Sequence, residues 1–144
     1  MENKYAMKLL EHCLFLAWLT SIIATAGSLY FSEVLKYIPC ELCWFQRIFM
    51  YPLTLILGMA VVKKDYTIAG YGLLLSGIGS AFSLYHYLLQ KTNIFSSTSA
   101  SCSIIPCTGE YINWFGFVTI PLLALIAFMI INLCLLFIKK SVSA

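Results

Sequence analysis

The sequence predicts an all-α membrane protein, a bundle of four transmembrane helices with both termini in the cytoplasm. Of its 144 residues, 61% are hydrophobic and only 10% charged, and the mean hydropathy is +0.89, a balance that no water-soluble domain of this size tolerates. The apolar residues gather into four stretches, 14–31, 44–62, 69–89 and 114–138, each near the ~20 residues that cross about 30 Å of hydrocarbon. The basic residues are placed unevenly between them. Lys4 and Lys8 precede the first stretch, Lys63 and Lys64 join the second to the third, and Lys139 and Lys140 follow the fourth, while the other two loops hold only Lys36 and Lys91. By the positive-inside rule the first set is cytoplasmic.

Each stretch must be helical, because backbone groups in lipid can bond only within their own segment. The first is too long for the apolar core of a signal peptide, and Glu33-Val34-Leu35-Lys36 offers no small-residue cleavage site, so it reads as a span. The second opens on Pro39-Cys40-Glu41-Leu42-Cys43 and contains Pro52; the fourth contains Pro121; both prolines are expected to kink their helices. In the third, Gly72, Ser76 and Ser80 recur at four-residue spacing, a stripe along which a neighbouring helix can approach closely. Tyr30, Tyr37, Trp44, Phe45, Tyr85, Tyr87, Tyr111 and Trp114 fall near the outer interface, where amphipathic rings anchor. The chain reads as one integral membrane domain, with a polar loop over 90–113 as its one compositional shift. The net charge of +3 is dispersed rather than clustered, which does not point to nucleic acid.

Four of the six cysteines lie on the outer side of this topology, where disulfides persist: Cys40 and Cys43 at the mouth of the second span, Cys102 and Cys107 in the loop. Two close thiol pairs joined through a membrane bundle read as a relay for electrons. Cys40 and Cys43 occupy the first turn of a helix, where unpaired amides and the helix dipole favour a thiolate, the nucleophile of thiol exchange. Cys40, Cys43 and Arg47 follow an i, i+3, i+7 spacing and should share a face. An arginine inside a span is costly and so a functional candidate, its plainer role being to snorkel toward lipid phosphate. His86, near the outer end of the third span, returns to the depth of Arg47. Two polar donors beneath a reactive pair would suit a planar acceptor with ring carbonyls, a membrane quinone; alone, His86 reads as a helix-packing residue. Cys102 and Cys107 can close a small disulfide ring that another protein reaches, or a structural staple. A zinc site of all four cysteines would have to close across two spans, and no metal is expected. Cys13 and Cys134 read as small buried hydrophobes, and Glu11 and His12 as cytoplasmic interface residues.

The run Pro39-Cys40-Glu41-Leu42-Cys43-Trp44-Phe45-Gln46-Arg47, His86, the Cys102/Cys107 pair, and Gly109-Glu110-Tyr111-Ile112-Asn113-Trp114-Phe115-Gly116-Phe117 carry a family likeness. Over nearly its full length the chain resembles the disulfide bond formation protein B (DsbB) family, especially its short Gram-positive, BdbC-like thiol-disulfide oxidoreductases. The resemblance implies a four-helix protein of the bacterial cell membrane that reoxidises an extracytoplasmic, thioredoxin-fold DsbA-like (BdbD-like) oxidase. It passes electrons to the menaquinone or ubiquinone pool, a pathway that sustains periplasmic oxidation. It further implies that Cys102 and Cys107 meet the partner, that Cys40 and Cys43 couple to the quinone, and that Arg47 and His86 are the quinone's neighbours. Gram-negative members separate the outer pair by a longer loop than the four residues found here. Two rivals differ in sequence features. A vitamin K epoxide reductase-like protein couples similar pairs to a quinone in the opposite chain order, and a non-enzymatic scaffold stapled by disulfides leaves Arg47 and His86 without a shared role.

Overall fold

The computed structural model describes residues 2–91 and 119–143. In chain order these form α1 (Glu2–Glu33), α2 (Glu41–Lys63), a single 3-10 turn (Tyr66–Ile68), α3 (Ala69–Lys91) and α4 (Ile120–Ser143), with no strand among the described residues. All four helices are long and apolar enough to cross a membrane. The protein is therefore an all-α, multi-pass membrane protein. Gln90 and Lys91, expected in the loop, complete α3. The remainder of that loop, with Cys102 and Cys107, and the expected start of the fourth span at Trp114 lie outside the described residues.

The helices pack in a ring, α1 on α2, α2 on α3, α3 on α4 and α4 on α1. Their contacts fix alternating directions. Along α1 and α2, Ser28 bonds Arg47 at one end and Glu11 pairs with Lys64 at the other, so the two run antiparallel. Between α3 and α4, Gly72 meets Leu135 and Gly79 meets Phe128, again antiparallel. The C-termini of α1 and α3 thus share one end of the bundle with the N-termini of α2 and α4.

Apolar side chains occupy the outer surface as well as the interior, as a lipid solvent allows. Large apolar side chains such as Leu55, Leu74 and Leu133 face outward, whereas Ser21, Gln46, Ser76, Ser83 and His86 are buried. The interior is filled by Leu53, Leu57, Phe128, Ile131, Leu135 and Ile138, none with any exposed surface. Close approach of α3 and α4 depends on missing side chains. A Cβ on Gly79 would lie 2.4 Å from the Phe128 ring, and one on Gly72 would lie 2.9 Å from Leu135. The expected small-residue stripe is therefore real but turned slightly: Gly72, Ser76, Gly79 and Ser83 are its buried members. Ser80 flanks it, accepting from Asn132 Nδ2 at 3.4 Å, while the Ser76 hydroxyl donates to Asn132 Oδ1. Such interhelical bonds are worth about 0.6 kcal/mol on average in a membrane.

The helix ends have identifiable causes. Lys64 adopts a left-handed conformation (φ 52°) and its N–H bonds the Ala60 carbonyl, closing α2. Asp65 accepts from the Thr67 amide and hydroxyl at 3.0 and 2.5 Å, which holds its carboxyl below the ordinary carboxylate range. α2 runs unbroken through Pro52. Pro121, expected to kink the fourth span, stands instead in the first turn of α4, where its missing N–H is no loss.

Candidate functional site

The site grows from the first turn of α2. Cys40 caps the helix in an extended conformation (φ −76°, ψ 173°) and its carbonyl accepts the Trp44 amide at 3.1 Å. This turn brings Cys43 one helical step below it, and the two Sγ atoms lie 3.5 Å apart. A disulfide needs them only about 1.5 Å closer. Cys40 is buried and Cys43 half-buried.

α3 delivers His86 against both sulfurs. Its Nε2 lies 3.6 Å from Cys40 Sγ and its Nδ1 lies 4.0 Å from Cys43 Sγ. The imidazole is 1% exposed, a position that obliges its nitrogens to find hydrogen-bond partners. Its second partner is Gln46, one turn below Cys43, whose Nε2 lies 3.2 Å from Nδ1. With the Gln46 amide NH2 turned to the ring it donates to Nδ1, the arrangement that carries the ring proton on Nε2, facing Cys40. A thiolate on Cys40 would accept that N–H, and a leaving Cys40 sulfur could take the proton.

Arg47 turns the other way. Its Nε donates to Ser28 Oγ at 2.9 Å and its Nη2 to the Ser28 carbonyl at 3.0 Å, both on α1. The Trp44 ring lies 5.6 Å from the guanidinium carbon, within cation–π range. Arg47 is thus half-buried and anchored on a neighbouring helix. Beside it opens a cavity of about 520 Å³ among α1, α2 and α4, walled by Cys43, Arg47, Tyr51, Ser28, Ala127 and Phe128 among others. Cys40 and His86 are not among its lining residues. Arg47 and His86, expected side by side, flank the cysteine pair from different helices.

Two contributors escaped the sequence reading. Gln46 was visible only as an amide in an apolar span, three residues from Cys43, and its helical spacing could have flagged it. Tyr51 carries a hydroxyl that is buried without a hydrogen-bond partner among the described residues, and the side chain lines the cavity. Elsewhere, Cys13 and Cys134 pack half-buried against the core. Glu11 pairs with Lys64 at 2.8 Å, and His12 Nδ1 bonds the Lys8 carbonyl at 2.6 Å, both near the opposite end of the bundle.

A close dithiol, a histidine ring nitrogen 3.6 Å from one sulfur and an apolar cavity meeting the other form an arrangement suited to thiol–disulfide chemistry. Comparison with known proteins agrees. The family described as disulfide bond formation protein DsbB matches residues 11–138. Relatives include the probable disulfide formation protein C 1 of Bacillus anthracis, 61% identical over 91% of this chain and 94% of that one. The disulfide bond formation protein C of Bacillus subtilis is 55% identical over 89% and 94%. A probable disulfide formation protein of Coxiella burnetii is 42% identical over 88% and 86%. No solved structure matches the chain. With a family match across almost its whole length, four membrane-spanning helices and a close dithiol at the mouth of α2, the chain belongs to the DsbB family, as a BdbC-like membrane oxidoreductase of disulfide bond formation.

Proposed function

We propose that the protein is a thiol:quinone oxidoreductase that reoxidises an extracytoplasmic DsbA-like partner and delivers the electrons to a membrane quinone. The observation that carries this reading is the placement of Cys43 and Arg47 on the wall of one mostly apolar cavity among α1, α2 and α4. The lining fits a quinone on its own chemistry. Apolar walls suit the ring and tail, the guanidinium offers a charge-assisted donor, and the orphaned Tyr51 hydroxyl offers a second polar group in need of a partner. When bound, the quinone accepts two electrons and two protons and leaves as quinol.

The chain's own residues perform the rest. A partner thiolate attacks the Cys102–Cys107 disulfide; resolution oxidises the partner's two thiols and reduces this pair. Exchange with the Cys40–Cys43 disulfide re-forms Cys102–Cys107 and leaves Cys40 and Cys43 as thiols. His86 holds a proton at Nε2 against Cys40 Sγ, where it meets whichever charge that sulfur develops during exchange. Arg47, fixed by Ser28, offers positive charge where electron density arrives on the acceptor. Closure of Cys40–Cys43 to a disulfide completes the cycle, with two electrons passed on. For this couple ~30 mV is a factor of ten in equilibrium, so an oxidising quinone draws the sequence forward.

The charge distribution supports cytoplasmic termini, with the cysteine end of the bundle outside. The experiment that tests the function is steady-state turnover of the purified protein with a reduced DsbA-like partner and a quinone, in which one quinol should form per partner disulfide. Intact turnover in Cys40→Ser or Cys43→Ser would remove the relay. Trapping with a partner lacking its resolving cysteine should give a mixed disulfide to Cys102 or Cys107.

A further inference from the structure

The sequence argues against a zinc site of all four cysteines, yet the structure assembles a different donor set. Cys40 Sγ, Cys43 Sγ and one ring nitrogen of His86 all lie within 4.8 Å of one another. Tetrahedral zinc, with Zn–S near 2.3 Å and Zn–N near 2.0–2.1 Å, sets its ligands about 3.8 Å apart for two sulfurs and about 3.5 Å for sulfur and nitrogen. The structure has 3.5 Å between the sulfurs and 3.6 Å from Cys40 Sγ to Nε2. Two edges of a coordination polyhedron are thus nearly in place without any ion, and the third lies within 4.8 Å, on residues held by two packed helices.

We propose that in its dithiol state the protein binds one thiophilic d10 cation, such as Zn2+, Cd2+ or Cu+, through Cys40, Cys43 and His86. Soft thiolate donors with one imidazole select this class over hard cations. Binding forms two metal–sulfur bonds and one metal–nitrogen bond and releases the two thiol protons; no electron moves. Ligation through Nε2 moves the ring proton to Nδ1, and Gln46 receives it by turning its amide to present Oε1, since one side chain carries both donor and acceptor. Gln46 is then the outer partner that orients the ligating ring. Three protein ligands leave a fourth position for water, the arrangement of open zinc sites.

The consequence is a metal-sensitive arrest. While the cation holds both sulfurs, Cys40 and Cys43 can neither exchange with another thiol nor close to a disulfide. Once they are oxidised, the two thiolates are gone and so is the site. Metal capture and redox turnover therefore exclude each other, and this holds whether or not a quinone is the electron acceptor.

The test is Cd2+ titration of the purified, detergent-solubilised full chain carrying Cys102→Ser and Cys107→Ser, followed by the ultraviolet thiolate-to-cadmium charge-transfer band. The reduced protein should bind one Cd2+ with that band, and the same sample oxidised with diamide should show none. Cys40→Ser and Cys43→Ser should each lose the band. Gln46→Ala should weaken binding roughly ten- to hundredfold, as loss of an outer-shell partner does, and His86→Ala by more. The reduced-against-oxidised comparison uses unaltered Cys40, Cys43 and His86, so it does not depend on any of these variants folding. Equal Cd2+ binding in both redox states, no binding in the reduced state, or an undiminished band in Cys43→Ser would overturn the proposal.

Discussion

On the α3 side of the Cys40–Cys43 pair the neighbours are polar and buried: His86, at 1% exposure, meets both sulfurs, and Gln46, at 6%, bonds His86 and also reaches the cavity wall. On the α1 side the same pair meets an open, mostly apolar cavity that Cys43 reaches and Cys40 does not, with Arg47 tied to Ser28 on its wall. The two sides differ as two kinds of chemistry differ. In the proposed relay a buried imidazole suits proton placement at sulfur, whereas a cationic, mostly apolar recess suits an apolar electron acceptor. One turn of helix separates Cys40, against His86 Nε2, from Cys43, which faces the recess.

This division can be broken in order of expected effect. Cys43→Ser should abolish turnover with any quinone, because the only sulfur of the inner pair on the cavity wall is gone; steady-state assays check it. His86→Ala should slow dithiol–disulfide exchange roughly a hundredfold, the scale of a positioned acid–base group. That loss should appear in stopped-flow exchange with the partner in the absence of quinone, with the apparent quinone affinity unchanged. Arg47→Ala should show the reverse split. Losing a charge-assisted hydrogen bond of about 1.5–3 kcal/mol weakens quinone affinity roughly ten- to hundredfold while exchange proceeds normally. Lysine should rescue only partly, since it lacks the planar fork. If both variants moved the same parameter, the two sides would not be distinct.

Smaller effects sharpen the picture. Tyr51→Phe should raise the apparent KM for quinone several-fold, the worth of about 1 kcal/mol for a neutral hydrogen bond, and leave exchange untouched. Asn132→Ala, on the far side of the α3–α4 seam, should cost about 0.6 kcal/mol of stability, up to about 1.7. Thermal unfolding in micelles would register it, and turnover should stay at the level of the unmodified protein.

Much of this was legible before any coordinates. Hydropathy alone locates four spans, since lipid leaves a long apolar segment no fold but a helix. The i, i+3 spacing of Cys40 and Cys43 gives their shared turn, and counting turns brings His86 to their depth. What spacing cannot give is the rotation of one helix about its axis relative to another. The sequence therefore placed Arg47 and His86 at the right level but side by side, whereas α2 presents Arg47 to α1 and Gln46 to α3. The same ambiguity shifted the small-residue stripe from Ser80 to Gly79, one position around the helix, because only the Phe128 ring on α4 decides which of the two is covered. Pro121 was misjudged for another reason: hydropathy continues upstream of α4, and a proline inside an apolar run looks interior even when it opens the helix.

In the proposed relay the inner pair alone hands electrons to the acceptor, through Cys43. An anaerobic single turnover tests it most directly, mixing the fully reduced protein carrying Cys102→Ser and Cys107→Ser with an equivalent of quinone. Quinol is followed by absorbance and the thiols by mass spectrometry. One quinol should form per new Cys40–Cys43 disulfide, at a rate comparable to the same step in the unmodified protein. Quinol formation that requires the outer pair, or that leaves Cys40 and Cys43 as thiols, would contradict it.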